Sequence, residues 1–536
     1  MPKQGMVVGP QPEAVEAGVE IIRAGGNAVD GAIATALVQG VVDPMMCGIA
    51  GFGSCGLYLP AKGFHGYIDF HAPAPMAATP TMWADRIEAE SRDGYGFVLR
   101  GQVNDIGYQS ICLPASLAAY HTAQREHGKL PWKEVVAPAI GWAEKGWVVR
   151  PHVYKFWSDD TSPSLAGNSL RLKATPAAKA LYCRPDGSPK RVGDTVVNRD
   201  LGQVLRLIAR DGAEVFYRGE IAQAIDADMK KHDGLLRLAD LNGYKPVRNK
   251  PLWSTYRGYR VASNQSPGGG PMLLQMLNIL ENFDLAGMGH NTVEYLRVVC
   301  EAMKRATIDK DRYLGDPAFM EIPLDRILSK AEAKRMAEEI RGHQKASVPR
   351  FNSGAPSKDT TQVSVVDRDG NCVTMTHSLG MPSGVVTDGL GFMYNGCMGV
   401  FDPRPGRPGS IAPGKARWSS ICPSIVFKDG NPHLVIGAPG ATQIAMGVLQ
   451  VTVNVLDFGC PIVEAVSRPR FSATSDAIDV SNRVPRFVTR ELEGQGYEVV
   501  RSPFSFGFAW VHALKIDGDK VTGGADPGTD GMALAV

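Results

Sequence analysis

The chain has 536 residues, of which 44% are hydrophobic and 21% charged, with a formal net charge of +2. That length and balance allow a large packed core and exclude global disorder. The near-neutral charge gives no electrostatic reason for a nucleic-acid or anionic-membrane partner. No apolar run is long enough to cross a bilayer, and the opening MPKQGMVVGPQPEAVEAG lacks the apolar stretch of a secretory signal. The nine cysteines are scattered without a CxxC pair, and the eleven histidines show no HExxH spacing. Reduced thiols in a cytoplasm fit this pattern, with the periplasm open had a signal been removed; neither metal nor cofactor is expected.

Pro12 to Ala24 predicts an amphipathic helix stopped by Gly25 and Gly26. Asn27 is placed to cap a second, apolar helix that runs to about Val41. Residues 48–60 are Gly-rich and then strand-like, and a run of helices is expected from there to about residue 230. A Pro/Gly loop over 265–271 leads into a helix from Met272 to Glu281, and Thr292 to Tyr313 predicts another. Residues 345–359 are polar, contain Pro349 and Pro356, and read as a mobile stretch. Strand signals then dominate. Thr361–Asp367 and Cys372–Ser378 flank an Asp-Gly turn and predict a hairpin. A second hairpin is expected from Ile421–Phe427 and His433–Ile436, with helices at about 441–456 and 462–468. A third turn at Asp517–Asp519 joins Trp510–Ile516 to Val521. A helix-rich first two-thirds and a sheet-rich last third predict an α+β chain, with helices packed outside two stacked sheets.

Gly51 to Gly56 matches GxGxxG, but a strand ending at Pro60 follows instead of a helix, so the run lacks the helix N-terminus that a dinucleotide needs. Asp359-Thr360-Thr361 is sharper. A threonine hydroxyl there can attack the preceding carbonyl, and hydrolysis of the ester frees its own amine as a general base. Ser378, at the end of the partner strand, is placed to support the Thr360 hydroxyl. Gly440 and Ala441 sit at a strand-to-helix junction, where backbone N–H groups suit an oxyanion. Ser419 and Ser420 are candidate substrate donors, and Arg404, Arg407, Lys415 and Arg417 make the 402–418 loop basic enough to greet an acidic substrate. Each motif also has an ordinary reading: a β-prone threonine, a strand-end serine, a common turn, a solvated loop.

Taken in order, several blocks resemble the gamma-glutamyltranspeptidases, a branch of the N-terminal nucleophile hydrolases. They are Gly25–Asp30, the Gly-rich 48–56 run, Ser266–Leu285, Glu301–Lys304, Tyr313–Pro317, Thr360–Asn371, Ser419-Ser420 and Ala438–Gly440. The resemblance implies a four-layer αββα sandwich and a proenzyme cut between Asp359 and Thr360. Residues 1–359 would form the large chain and 360–536 the small chain of a heterodimer, with a dimer of these left open. It implies Thr360 as nucleophile, Ser378 as its supporting hydroxyl, and the N–H groups of Gly440 and Ala441 as the oxyanion hole. It also exposes departures. Where the family holds a glutamyl carboxylate with an arginine, this chain has His71, which cannot make a bidentate guanidinium pair. The family's asparagine is Gly380 here, and its glutamine and aspartate fall at Cys397 and Val400. The 401–419 segment is shorter than in members with a lid, so a more open pocket is expected. His71, Cys397, Val400, Ser419 and Ser420 are therefore the expected substrate-binding residues. The reading is a self-processing threonine amidohydrolase or acylase acting on a small, carboxylate-bearing acyl amide. A gamma-glutamyl transferase or hydrolase is the alternative, and an inactive relative serving as a binding protein is the reading from another class.

Overall fold

The computed structural model describes residues 2–160, 165–350 and 360–536. Two large sheets, of seven and six strands, lie face to face. In chain order their strands are Met6–Gly9 (β1), Phe52–Leu59 (β2), Phe64–Phe70 (β3), Val247–Asn249 (β4), Leu252–Tyr256 (β5), Tyr259–Ser263 (β6), Thr361–Val366 (β7), Cys372–Ser378 (β8), Ser424–Lys428 (β9), Asn431–Gly437 (β10), His512–Asp517 (β11), Lys520–Gly524 (β12) and Met532–Ala535 (β13). The first sheet runs β13-β1-β7-β8-β2-β3-β4 and the second β12-β11-β10-β9-β6-β5. Helices Pro12–Arg23 (α1) and Ala28–Val42 (α2) pack outside the first sheet. Gly270–Leu280 (α3), Val293–Tyr313 (α4) and Ile444–Leu456 (α5) cover the second. The order of layers is helix, sheet, sheet, helix, as expected.

Two apolar cores flank the first sheet. Val363, Val365, Val373 and Met375 join the helices outside the first sheet. Met6, Val8, Val366, Ile425, Val435 and Leu514 fill the space between the sheets. Each residue of β7 and β8 is buried, because one face meets helices and the other meets the second sheet. Packing on both faces leaves this hairpin no freedom to slip: a one-residue shift would send valines into a polar layer.

Local rules explain the ends of the elements. Asn27 caps α2 by accepting from the N–H groups of Val29 and Asp30, and Asp30 bonds back in a capping box. The hairpin turn is fastened to the same helix start, where Asp367 accepts from the Ala28 N–H at 2.8 Å and from Asn371. The run of helices expected from residue 60 to about 230 begins only at Ser116; β3, whose alternation is masked by its full burial at the carboxyl end, and short strands at Ile87–Glu90 and Phe97–Leu99 come first. β1 is four residues long, too short for a periodic signal, and exists because β7 and β13 pair with it on either side. The second hairpin begins at Ser424 instead of Ile421, after Pro423, which has no N–H for the ladder. The GxGxxG run lies in β2 and leads to a 3₁₀ turn at Pro60–Lys62. All nine cysteines are buried free thiols. Among the described residues no helix is long and apolar enough to cross a membrane.

Candidate active site

Thr360 stands at the head of β7 and is 4% exposed. The register that pairs Thr361 with His377 places residue 360 across from Ser378. Ser378 also pairs with Phe52 on its other side, and its hydroxyl accepts from the Gly380 N–H at 2.8 Å. Of the stretch expected to be mobile, 345–359, residues 351–359, with Asp359, lie outside the described residues.

Two polar layers hold the head of this hairpin. Toward the helices, Gln39 of α2 donates to Gln11 at 2.7 Å and to the Gln362 carbonyl at 3.0 Å, and meets the Thr361 hydroxyl at 3.3 Å. The same Gln39 carbonyl lies 2.8 Å from Nε2 of His377, whose Nδ1 is 2.6 Å from the Tyr120 hydroxyl. Burial pushes the His377 imidazole down to about 3, so it works as a neutral hydrogen-bonding ring. Burial also raises Asp43, which accepts from Gln11, to about 6. Between the sheets, Gln362 bridges Ser364, Thr374 and Thr376, and Thr374 donates to the Ile436 carbonyl of β10 at 3.1 Å. These networks leave residue 360 at the end of a clamped strand.

The junction after β10 faces the same place. Gly440 has φ +140° and Ala441 φ +50°, both in the region that favours glycine. The turn is pinned by the Trp510 N–H donating to the Pro439 carbonyl at 3.0 Å and by the Thr442 hydroxyl donating to Asp93 at 2.9 Å. Among the described residues nothing accepts from the N–H groups of Gly440 and Ala441. Two adjacent unsatisfied donors at the start of a 3₁₀ turn, with α5 following directly, form a concentrated positive end.

A narrow inner cavity joins these parts. Thr360, Val400, Ser419, Ser420 and Ala441 line it, with Phe52, Tyr95, Gly380, Arg417, Trp418, Thr442 and Ile444. Tyr95, Val400 and Trp418 also belong to an outer cavity of about 1360 Å³, so the small chamber opens onto a wide vestibule. The pocket is thus open outside and tight at Thr360. Gly440 and Ser378 stand directly behind residues of the inner lining.

Two expected substrate-binding residues do not reach either cavity. His71 is buried, with Nε2 3.7 Å from Asp69, and that carboxylate already accepts from Ser54 and Asn249. Cys397 lies beneath the lining, its thiol donating to the Leu379 carbonyl at 3.5 Å and kept neutral by burial. Ser419 and Ser420 differ from each other. Ser420 donates to the Thr442 carbonyl at 3.2 Å and accepts from the Ala445 N–H at 3.1 Å, so it fastens the start of α5. Ser419 accepts from the Ile421 N–H at 3.2 Å, and no acceptor among the described residues takes its proton.

The basic loop also divides. Arg404 makes a paired contact with Asp402, Arg407 is 3.8 Å from the same carboxylate, and Lys415 donates to the carbonyls of Pro408 and Ser410. Arg417 is the member that reaches the inner cavity. Sequence reasoning passed over Gln11, Gln39 and His377; a lone glutamine in the apolar run of α2 was the available signal.

The family model described as gamma-glutamyltranspeptidase matches residues 14–536. An acylase ACY 1 proenzyme from Pseudomonas sp. (strain V22) is 35% identical, over 99% of this chain and 94% of its own length. The glutathione hydrolase proenzyme of Escherichia coli is also 35% identical, over 93% and 86%. A cephalosporin acylase from Bacillus halodurans superposes with a TM-score of 0.88 at 29% identity, covering 99% of this chain and 96% of the other. The chain belongs to the gamma-glutamyltranspeptidase family, and is an amide-cleaving enzyme of the N-terminal nucleophile type.

Proposed function

We propose that Thr360 is the nucleophile, and that the chain cuts itself between Asp359 and Thr360 into a large chain of residues 1–359 and a small chain of residues 360–536. In the cut, the Thr360 hydroxyl adds to the Asp359 carbonyl, the acyl group moves from nitrogen to oxygen, and water hydrolyses the ester. The products are a carboxylate on Asp359 and a free amine on Thr360. An α-amino group titrates at roughly 8, close enough to neutrality to act as a base. In turnover this amine takes the Thr360 hydroxyl proton as the oxygen attacks the substrate carbonyl carbon. The oxyanion is received by the N–H groups of Gly440 and Ala441. Collapse expels the leaving amine, which takes the proton back, and water then releases the acid from the Thr360 ester by the same proton route. Ser378 supports the threonine oxygen, Ser419 offers its free proton to the acyl group, and Ser420 keeps the oxyanion turn in place.

The observation that carries this reading is the pair of unclaimed N–H groups at Gly440 and Ala441, beside the cavity that holds Thr360. Preorganised donors of this kind contribute the largest share of many acyl-transfer accelerations. The substrate is an amide of a small acyl group that ends in an acid. The inner cavity is narrow, which suits a small acyl group. Among the described residues its lining contains no aspartate or glutamate to grip an α-amino group, and Val400 presents an isopropyl wall. That lining favours an acylase-like specificity over a gamma-glutamyl one.

Intact mass tests the cut: wild type is expected as two fragments and Thr360→Ala as one chain of 57.6 kDa. A Thr360→Ala protein cut at the same bond would refute self-processing by Thr360. Gamma-glutamyl p-nitroanilide, with and without a dipeptide acceptor, tests the substrate class. Robust turnover with acceptor stimulation would overturn the acylase specificity in favour of transfer.

A further inference from the structure

We infer that Arg417 is the carboxylate-recognition residue of this active site, and that it selects acyl groups with a terminal acid. The inference rests on the amidohydrolase reading above and adds its specificity determinant. Arg417 is 3% exposed and, among the described residues, is the one charged side chain in the inner lining. Its Nε donates to the Trp418 carbonyl at 3.2 Å, Nη1 to the Cys397 sulfur at 3.6 Å, and its guanidinium carbon lies 4.3 Å from the centre of the Phe52 ring. No carboxylate pairs with it among the described residues, and no acceptor there takes an Nη2 proton. Each other deeply buried arginine of the site's surroundings has an acid: Arg171 with Asp105, Arg305 with Glu301, Arg470 with Asp526.

A buried cation without a counter-charge is costly to hold, and proteins normally pair it or neutralise it. Arginine cannot be neutralised at ordinary pH. The missing anion therefore belongs to something that enters the cavity. The guanidinium is oriented for it: Phe52 fixes its plane, Trp418 and Cys397 hold two edges, and Nη2 is left for the ligand. Ser419 lines the same chamber with its proton unclaimed, so a carboxylate would accept from both.

Gly380 supplies an independent observation. Its φ is +75°, and a Cβ built there would lie 2.9 Å from the Cys397 sulfur and 3.1 Å from Arg417 Nη1. Any side chain at 380 would crowd the space that the guanidinium fills. The missing side chain and the buried cation are two halves of one arrangement. Thr360 and Arg417 line the same narrow chamber, which favours the acid of a short diacid half-amide.

The test uses the mature two-chain enzyme with oxalyl, succinyl and glutaryl p-nitroanilides, each beside the neutral analogue in which a carboxamide replaces the acid. Wild type is expected to prefer at least one acid over its carboxamide by about 100-fold in kcat/KM, as befits a charge-assisted pair. Arg417→Gln is expected to erase that preference, so that acid and carboxamide are cut with kcat/KM within about threefold of each other in the variant. Arg417→Lys is expected to recover part of it, chiefly through KM. An acid preference retained in Arg417→Gln would overturn the assignment, as would a correctly cut wild type that prefers no acid. A wild-type chain that stays at 57.6 kDa would instead sink the amidohydrolase reading itself.

Discussion

Replacing Gly440 by alanine keeps the backbone N–H and adds one methyl group, so it tests the oxyanion turn with little change in chemistry. The Cβ would lie 2.6 Å from Ala509 Cα and 2.7 Å from Ala509 Cβ. Ordinary contact begins at 3.4 Å, so the two segments must part by roughly 0.8 Å. They cannot part freely, because the Trp510 N–H is bonded to the Pro439 carbonyl at 3.0 Å. The turn must therefore tilt. A φ of +140° adds strain of about 1–3 kcal/mol for a residue with a Cβ. A displacement near 1 Å at a reacting centre lowers the rate about 100-fold, and loss of one oxyanion donor about 100- to 1000-fold. Gly440→Ala is expected to lower kcat by that amount with KM within about threefold. The assay is p-nitroanilide release per mole of cut chain, with the cut fraction read from intact mass and the fold checked by thermal melting. A correctly cut, folded Gly440→Ala enzyme with kcat within threefold of wild type would show that this turn does not hold the oxyanion.

Ala441→Gly retains its N–H and removes left-handed strain of about 1 kcal/mol, so activity within about twofold of wild type is expected, with no loss of melting temperature. Ser420→Ala orphans the Ala445 N–H and should lower stability by about 1–2 kcal/mol and kcat by about tenfold, whereas Ser419→Ala should act mainly on KM for acid substrates; steady-state kinetics beside denaturant melts separates the two. Gln39→Leu leaves Gln11, His377 and the Gln362 carbonyl without their shared partner and should cost about 1–3 kcal/mol in a urea melt, with slower self-cutting. His377 and His512 are held at about 3 by burial, so the unfolded chain binds their protons first as pH falls below the ordinary histidine value. Stability from each is complete above about pH 6.5 and is lost as pH falls toward 3, by about 2 kcal/mol per histidine at pH 5. His377→Gln should flatten that slope in melts taken between pH 4 and 7.

The layered fold was legible where an element carried its own signal. Asn27 before an apolar run, Asp367–Asn371 between two β-prone stretches, and Thr292 ahead of α4 each announced a boundary through local chemistry. β1, β3 and the 3₁₀ start at Ala441–Gln443 announced nothing, because their conformations come from partners far along the chain. Met6–Gly9 is a strand only because it fits between β7 and β13, and the left-handed Ala441 is held by what packs around the turn.

Thr360 as a nucleophile and the Gly440-Ala441 turn as an oxyanion hole could be proposed from sequence because each combines a residue type with a place at the end of a strand. Specificity could not, and the basic loop shows why. Four cations between 402 and 418 look alike as a charge run. In three dimensions Asp402 takes up Arg404 and Arg407, and two carbonyls take up Lys415. Arg417 alone is turned inward, under Phe52 and into the gap left by Gly380. A charge near a site is thus a weak sign of an acidic substrate, since most such charges are already satisfied. What makes Arg417 informative is the combination of its depth and the missing acid. His71, chosen because it occupies the place of a binding arginine, fails on the same criterion: it lies beside Asp69 and away from the cavity. The function of a carboxylate anchor can therefore move from one strand end to another loop while the cavity it serves stays in place. Exchanging only the two ends tests that idea: His71→Arg in an Arg417→Gln background should fail to restore acid preference, because residue 71 lines neither cavity. Recovery of the preference in that double variant would mean that position 71 faces the substrate after all.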